Sequence, residues 1–250
     1  MANASPATGN ADFSWDRFDS ESYFQHYYGD PHPDDDNVIR LAVAALGAAA
    51  KEGPLDIVDV GTGPNFIPLF AALPVADRVT VWEYARSNCD WLAAELEKPE
   101  MRPQWKHFWR VAREAYMSTP TPIDPIPPLR AKTTITQGSI YDLPARRWTA
   151  ATMFFCAESI TGRMDEFEQG CAAYARCVKP GGILAAAFLV RSGGYIVGDR
   201  PFPVLSLTPE AIEDVFSRHA RDVVLQRIGI VEREIRSGYS GFVFLTGRAI

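Results

Sequence analysis

The chain is poor in the residues that build covalent frames, metal clusters or membrane spans. Its four cysteines, Cys89, Cys156, Cys171 and Cys177, show no CxxC spacing and no histidine-rich neighbourhood. A disulfide frame and a zinc site are therefore disfavoured, and the thiols read as buried in a reducing cytosol. The four histidines, at 26, 32, 107 and 219, are scattered, so no metal site is predicted. No HExxH or GxSxG motif is present. No stretch approaches the roughly 18 uninterrupted apolar residues of a spanning helix. Basic residues are in deficit, with 25 Lys and Arg against 31 Asp and Glu and a net charge of -6. That balance argues against nucleic acid and anionic membranes as partners, and favours small or cationic ones. The opening MANASPATGNADFSWD lacks both a positive cluster and an apolar run, so it does not read as a signal peptide. The expectation is a soluble, cytoplasmic protein; its oligomeric state is left open.

What is present is an ordinary globular composition, 47% hydrophobic and 22% charged over 250 residues, enough to bury a core without staples. Residues 1–12 are small and polar and predict a disordered tail. WDRFDSESYFQHYY and NVIRLAVAALGAAAKEG read as two helices. Between them, the acids of GDPHPDDD sit where a helix N-terminus favours negative charge. This region, 13–53, is predicted as a helical cap over the sheet and its ligand site, within a single domain running over 13–250. Strands at LDIVDV, RVTVWEY, TTITQ, TAATMFF and ILAAAFLV alternate with helical stretches. That alternation predicts an α/β fold whose mostly parallel sheet is covered by helices on both faces. Five prolines between 119 and 130 predict an extended linker. SGGYIVGDRPFPV reads as a turn-rich strand pair. TPEAIEDVF reads as a helix with Thr208 at its N-cap. VVLQRIGIVE and SGFVFLTGRA close the chain as strands, adding an antiparallel edge.

The sharpest local feature is Asp59-Val60-Gly61-Thr62-Gly63-Pro64-Asn65, directly after the first core strand. Two glycines permit a tight turn and a close ligand approach, at the strand ends where open α/β sheets bind ligands. A dinucleotide fingerprint needs a third glycine three positions on, but Phe66 stands there, and Pro64 removes a donor a pyrophosphate would use. A cofactor without phosphate is thus favoured. Asp59 either orders the turn or holds the amino-acid part of a cofactor through water. Glu83, 20 residues beyond Gly63 at the tip of the second strand, is placed to accept both hydroxyls of a ribose. At the third strand exit, Ser139 or Asp142 offers a polar contact to a base.

Taken in order, DVGTGPN, WEYARSN, QGSIYDLP, FFCAES and KPGG resemble class I S-adenosylmethionine-dependent methyltransferases. With SYFQHYY, the insertion around Trp105, and SGGYIVGDRPF, the chain more narrowly resembles the nicotinamide, phenylethanolamine and indolethylamine N-methyltransferase family over roughly residues 13–247. Its many Ala, Arg and Pro residues fit a bacterial member. The resemblance implies a Rossmann-like class I sheet with an N-terminal helical cap, and S-adenosyl-L-methionine as cofactor, leaving S-adenosyl-L-homocysteine as product. It implies that Tyr23 and Tyr28 lie over the cofactor and that Gly61, Gly63 and Asn65 line its methionine part. Glu83 would hold the ribose, with Tyr84 and Asn88 beside it. Ser139 and Ile140 would flank adenine, although family members usually carry an acid where Ser139 stands. Cys156 would supply backbone near the cofactor amine. Glu158 would face the acceptor amine as the catalytic carboxylate, and Tyr195 would stack on the acceptor ring. Phe188 would line the acceptor site where the nicotinamide enzymes carry an aspartate, which speaks against nicotinamide itself.

The expected function is methyl transfer to a small-molecule acceptor, at an amine or heteroaromatic nitrogen. The alternatives are transfer to oxygen or carbon, and a non-catalytic cofactor-binding scaffold or regulator.

Overall fold

A computed structural model describes residues 8–117, 119–230, 236 and 238–250. Among them, α1 (Ser20–Tyr28) and α2 (Pro33–Ala49) precede the first strand, β1 (Leu55–Val60). There follow α3 (Ile67–Ala72), β2 (Ala76–Glu83), α4 (Arg86–Leu96), α5 (Pro103–Tyr116), α6 (Ile126–Lys132) and β3 (Thr133–Gln137). The second half runs β4 (Trp148–Phe154), α7 (Met164–Cys177), β5 (Val178–Leu189), a hairpin of β6 (Tyr195–Val197) and β7 (Arg200–Phe202), α8 (Pro209–Phe216), β8 (Ala220–Ile228) and β9 (Phe242–Ala249).

Seven strands form one sheet in the order β3-β2-β1-β4-β5-β9-β8. The first five are parallel, and β9 runs antiparallel between β5 and β8. Both faces are covered, which is why LDIVDV and ILAAAFLV are nearly continuous apolar runs rather than alternating ones. The period of two still decides which side chain meets which layer. On β5, Ala185, Ala187 and Leu189 face the layer that includes α2, α3 and α5, whereas Leu184, Ala186 and Phe188 face that of α7 and α8.

The first layer is rich in aromatics. Trp105 is fully buried among Phe24, Phe66 and Phe70, and its indole donates to Glu95 Oε1 at 3.0 Å. Arg102 donates to Glu95 Oε1 at 2.8 Å and to Glu21 Oε1 at 2.6 Å, tying α1 to α4 and to the start of α5. That guanidinium holds the Glu21 carboxyl down at about 2. Thr208 caps α8 as the sequence indicates, accepting from Ala211 N.

Three expectations need correction. The tail predicted over 1–12 falls partly outside the described residues, but 8–12 are anchored. Gly162 N donates to Thr8 O, and Asn10 joins Glu166 and Ile160 through its amide N–H and side chain. The cap predicted over 13–53 is narrower: α1 covers the site, while α2 packs against α3, α5 and β5 as part of a sheet-covering layer. The proline-rich segment is not extended throughout. Ile126–Lys132 is a helix whose prolines lie in its first turn, where a missing N–H costs nothing.

Candidate functional site

The strand order reverses between β1 and β4, and a cleft of about 830 Å³ opens at the carboxyl ends of these strands and their neighbours. Its floor is the glycine loop. Gly61 (φ 66°) and Gly63 (φ 60°) both have left-handed backbones, which β-carbons disfavour. A Cβ on Gly61 would lie 2.1 Å from Cys156 Sγ, so the loop and the β4 exit approach each other only because position 61 has no side chain. At Gly63 no atom lies within 4 Å of a built Cβ: the backbone borders open space. Asn65 also lines the cleft, and its Oδ1 accepts from Ile67 N at 2.8 Å at the start of α3.

Glu83 is the buried carboxylate of this wall. Its Oε2 accepts from Gly63 N at 2.8 Å, and its Oε1 accepts from Ala85 N at 2.8 Å and from Asn88 Nδ2 at 3.3 Å. One side chain thus joins the β1 loop to the β2 exit. Burial raises its pKa above the ordinary value, opposed by those donors. Asn88 is fixed in turn by Ser20 Oγ, which donates to its Oδ1 at 2.7 Å. Tyr84 stands at the mouth, 49% exposed. Beyond β3, Ser139 and Ile140 line the cleft and Asp142 does not. Gly138 leaves room for Trp82, whose ring would lie 2.5 Å from a Cβ there and whose indole donates to Ser139 O at 2.9 Å.

The far wall is aromatic. Tyr23, Tyr28 and Tyr195 line the cleft. Tyr195 stacks on Phe202 of the hairpin at 5.5 Å and donates its hydroxyl to Ser159 O at 3.0 Å. Cys156 stands opposite Gly61, its thiol pushed well up by burial.

A second cavity of about 890 Å³ shares Tyr23, Tyr28, Phe155 and Arg236 with the cleft. Its wall adds Tyr27, His26, His32, Asp30, Leu189 and the buried Asp35. Burial, reinforced by Asp34 and Asp36, pushes the Asp35 carboxyl well above the usual range. Phe155 has φ 55°, an uncommon conformation for an aromatic residue, at the point where the two spaces meet.

Three predicted site residues lie elsewhere. Asp59 orders the turn, the first of its two readings: its carboxylate accepts from the hydroxyls of Thr152 and Thr62, and it lines neither space. Burial raises its pKa to about 7 despite both donors. Phe188 is 0% exposed and packs against Phe167 and Phe216 on the opposite face of the sheet. Leu189, one residue on, is the β5 side chain that reaches the second cavity.

Glu158, expected to be the catalytic carboxylate, also lines neither space. It is 0% exposed, its Oε1 accepts from Leu189 N at 2.9 Å, and its carbonyl accepts from Leu205 N at 2.7 Å. It braces the loops behind the site.

Other wall residues escaped sequence reasoning. Asn10, Trp15 and Phe18 come from before α1, and Arg236 from the segment before β9. Asp35 carried a signal, the acid run 34–36, which fitted a helix N-terminus equally well.

The family model described as NNMT/PNMT/TEMT family matches residues 6–246. No curated protein matches the chain by sequence. Solved structures share its fold. The magnesium protoporphyrin IX methyltransferase of Synechocystis PCC 6803 with bound SAM is 13% identical, covering 98% of this chain and 100% of that one, with a TM-score of 0.61. A Burkholderia thailandensis 1,6-didemethyltoxoflavin-N1-methyltransferase, solved with 1,6-didemethyltoxoflavin and S-adenosylhomocysteine, is 16% identical over 98% and 92% of the two chains, with a TM-score of 0.56. The N-methyltransferase NodS of Bradyrhizobium japonicum WM9 is 10% identical over 92% and 98%, with a TM-score of 0.50. The long family match, on a sheet of this order with a glycine-floored cleft at its switch point, makes the chain a member of the NNMT/PNMT/TEMT family of S-adenosylmethionine-dependent methyltransferases.

Proposed function

We propose that this chain methylates a nitrogen of a small-molecule acceptor, an amine or a heteroaromatic nitrogen, with the cofactor in the cleft and the acceptor in the second cavity. One observation carries the reading: the two spaces share Tyr23, Tyr28, Phe155 and Arg236, and the second contains a carboxyl, Asp35, that belongs to neither the sheet nor the glycine loop.

The cleft suits the cofactor. Gly63 borders open space without a side chain, and the buried Glu83 is matched to neutral hydroxyls rather than to phosphate. Glu83, Asn88 and Tyr84 would hold the ribose, Ser139 and Ile140 the adenine, and Gly61, Asn65, Tyr23 and Tyr28 the methionine part. When bound, S-adenosylmethionine supplies an electrophilic methyl group on a sulfonium.

The protein's part is to orient the acceptor and keep water out. Tyr23, Tyr27 and Tyr28 on α1 and Tyr195 on the hairpin form an apolar wall around the junction. Asp35 takes the role first expected of Glu158. It is a buried residue lining the second cavity, and burial raises its pKa, which makes its carboxylate a stronger base for a proton leaving the amine.

Incubation with methyl-labelled cofactor and a panel of primary, secondary and aromatic amines, with phenols as controls, tests the assignment. Label in an amine product is expected. Label confined to phenols, or none above solvent background, contradicts it.

A further inference from the structure

Arg236 is unusual among the cations of this molecule. It is 6% exposed, its Nη1 donates to Ser159 Oγ at 2.9 Å, and its guanidinium also donates hydrogen bonds to the hydroxyls of Tyr23 and Tyr27. Its Nε has no partner among the described residues. No carboxylate of the described residues stands within ion-pair distance of it. What surrounds it is aromatic: Cζ lies 4.1 Å from the Tyr195 ring centroid and 5.5 Å from that of Tyr27. Ring faces attract a guanidinium but do not engage its in-plane Nε–H, which is the donor left idle here. A buried charge with an idle donor is unfavourable unless something completes it. Arg236 borders both the cleft and the second cavity, so a bound molecule can reach it from either side.

We infer that Arg236 receives an oxyanion of the methyl acceptor, and that the acceptors are nitrogen compounds carrying a carboxylate or an equivalent oxyanion. This rests on the second cavity being the acceptor site. The planar fork of a guanidinium matches a carboxylate in a way no other side chain here does. The second cavity contains both Arg236 and Asp35, so a zwitterion places its nitrogen toward the carboxyl and its oxyanion toward the guanidinium. Glu158 acts on Arg236 only through space, and burial pushes it up to about 7. The cofactor's own amino-acid carboxylate offers the same chemistry from the cleft side, so the test separates the two sources.

Protein saturated with S-adenosylhomocysteine is titrated calorimetrically with matched pairs: 4-aminobenzoate against 4-aminobenzamide, and phenylalanine against phenylalanine amide. In at least one pair the carboxylate is expected to bind tenfold or more tightly than its amide. Arg236→Met removes that preference while affinity for S-adenosylhomocysteine stays within threefold. Arg236→Lys, which keeps the charge without the fork, retains part of the preference and guards against a folding defect. Equal affinities in both pairs, absence of carboxylate binding, or a preference that survives Arg236→Met overturns the inference. A tenfold loss of S-adenosylhomocysteine affinity in Arg236→Met also overturns it, because the guanidinium then serves the cofactor. Failure of the wild type to bind S-adenosylhomocysteine at all brings down the cofactor reading of the cleft, and this inference with it.

Discussion

The cofactor cleft and the second cavity share four wall residues but are assembled differently. The cleft is built largely from strand ends held by backbone hydrogen bonds: Gly61 N donates to Trp82 O at 2.8 Å and Gly138 N to Glu83 O at 2.9 Å. Its glycines, Glu83 and Ser139 occupy places that follow from the sheet alone. The second cavity gathers α1, the residues around the start of α2, one β4 exit residue, one residue of β5 and Arg236. No short sequence span contains it. On the proposed assignment, the strand-end half holds the cofactor common to all such methyltransferases, and the composite half holds the acceptor that differs among them.

The sharpest way to break the contrast is at Gly61. Gly61→Ala combines a left-handed backbone with a Cβ 2.1 Å from Cys156 Sγ. It is expected to cost about 3 kcal/mol and to abolish cofactor binding, measured by denaturant unfolding and calorimetry. Gly61→Ala with Cys156→Ala relieves the clash but not the backbone strain, so it recovers part of the loss. A single variant as stable as the wild type contradicts the close loop approach on which the cleft depends.

Glu158 sharpens the distinction from behind the site. Its pKa is raised from 4.5 to about 7, so between those values the folded state keeps a proton that the unfolded chain releases. Stability therefore falls as pH rises across this window and levels off above it. Glu158→Gln removes its share, on the order of 3 kcal/mol, and flattens the profile of unfolding free energy against pH. Asp59 contributes in the same direction and keeps some slope in place. Affinity for S-adenosylhomocysteine is expected to change less than threefold; a collapse of methyl transfer with binding intact returns Glu158 to the chemistry.

Much of the fold was legible because its signals are short-range. Apolar runs bounded by turn residues marked β1 to β5, and Thr208-Pro209 marked α8. DVGTGPN and Glu83 fixed the cleft because strand-end geometry leaves such residues little freedom. Phe188 failed as a site residue by a single step of strand phase: on a sheet buried on both faces, neither side of β5 is polar, so the sequence holds no cue that Leu189 and not Phe188 faces the second cavity. Glu158 failed because a strand-end acid looks alike whether it faces a ligand or braces a neighbouring loop. Arg236 lies 77 residues from the serine that holds it, and no local pattern announces such a contact. Ile126–Lys132 was hidden because prolines in a helix's first turn resemble those of a linker.

The division of labour between the two spaces is tested most directly by calorimetric titration of S-adenosylhomocysteine into wild type, Glu83→Ala and Asp35→Asn, with methyl transfer measured in parallel. The account predicts one site in the wild type and an affinity lower by about 2 kcal/mol in Glu83→Ala, the loss of a charged hydrogen-bonding group. In Asp35→Asn it predicts near-normal affinity with methyl transfer slowed about 100-fold. Glu83→Ala binding as tightly as the wild type, or Asp35→Asn losing cofactor affinity as severely as Glu83→Ala, would contradict it.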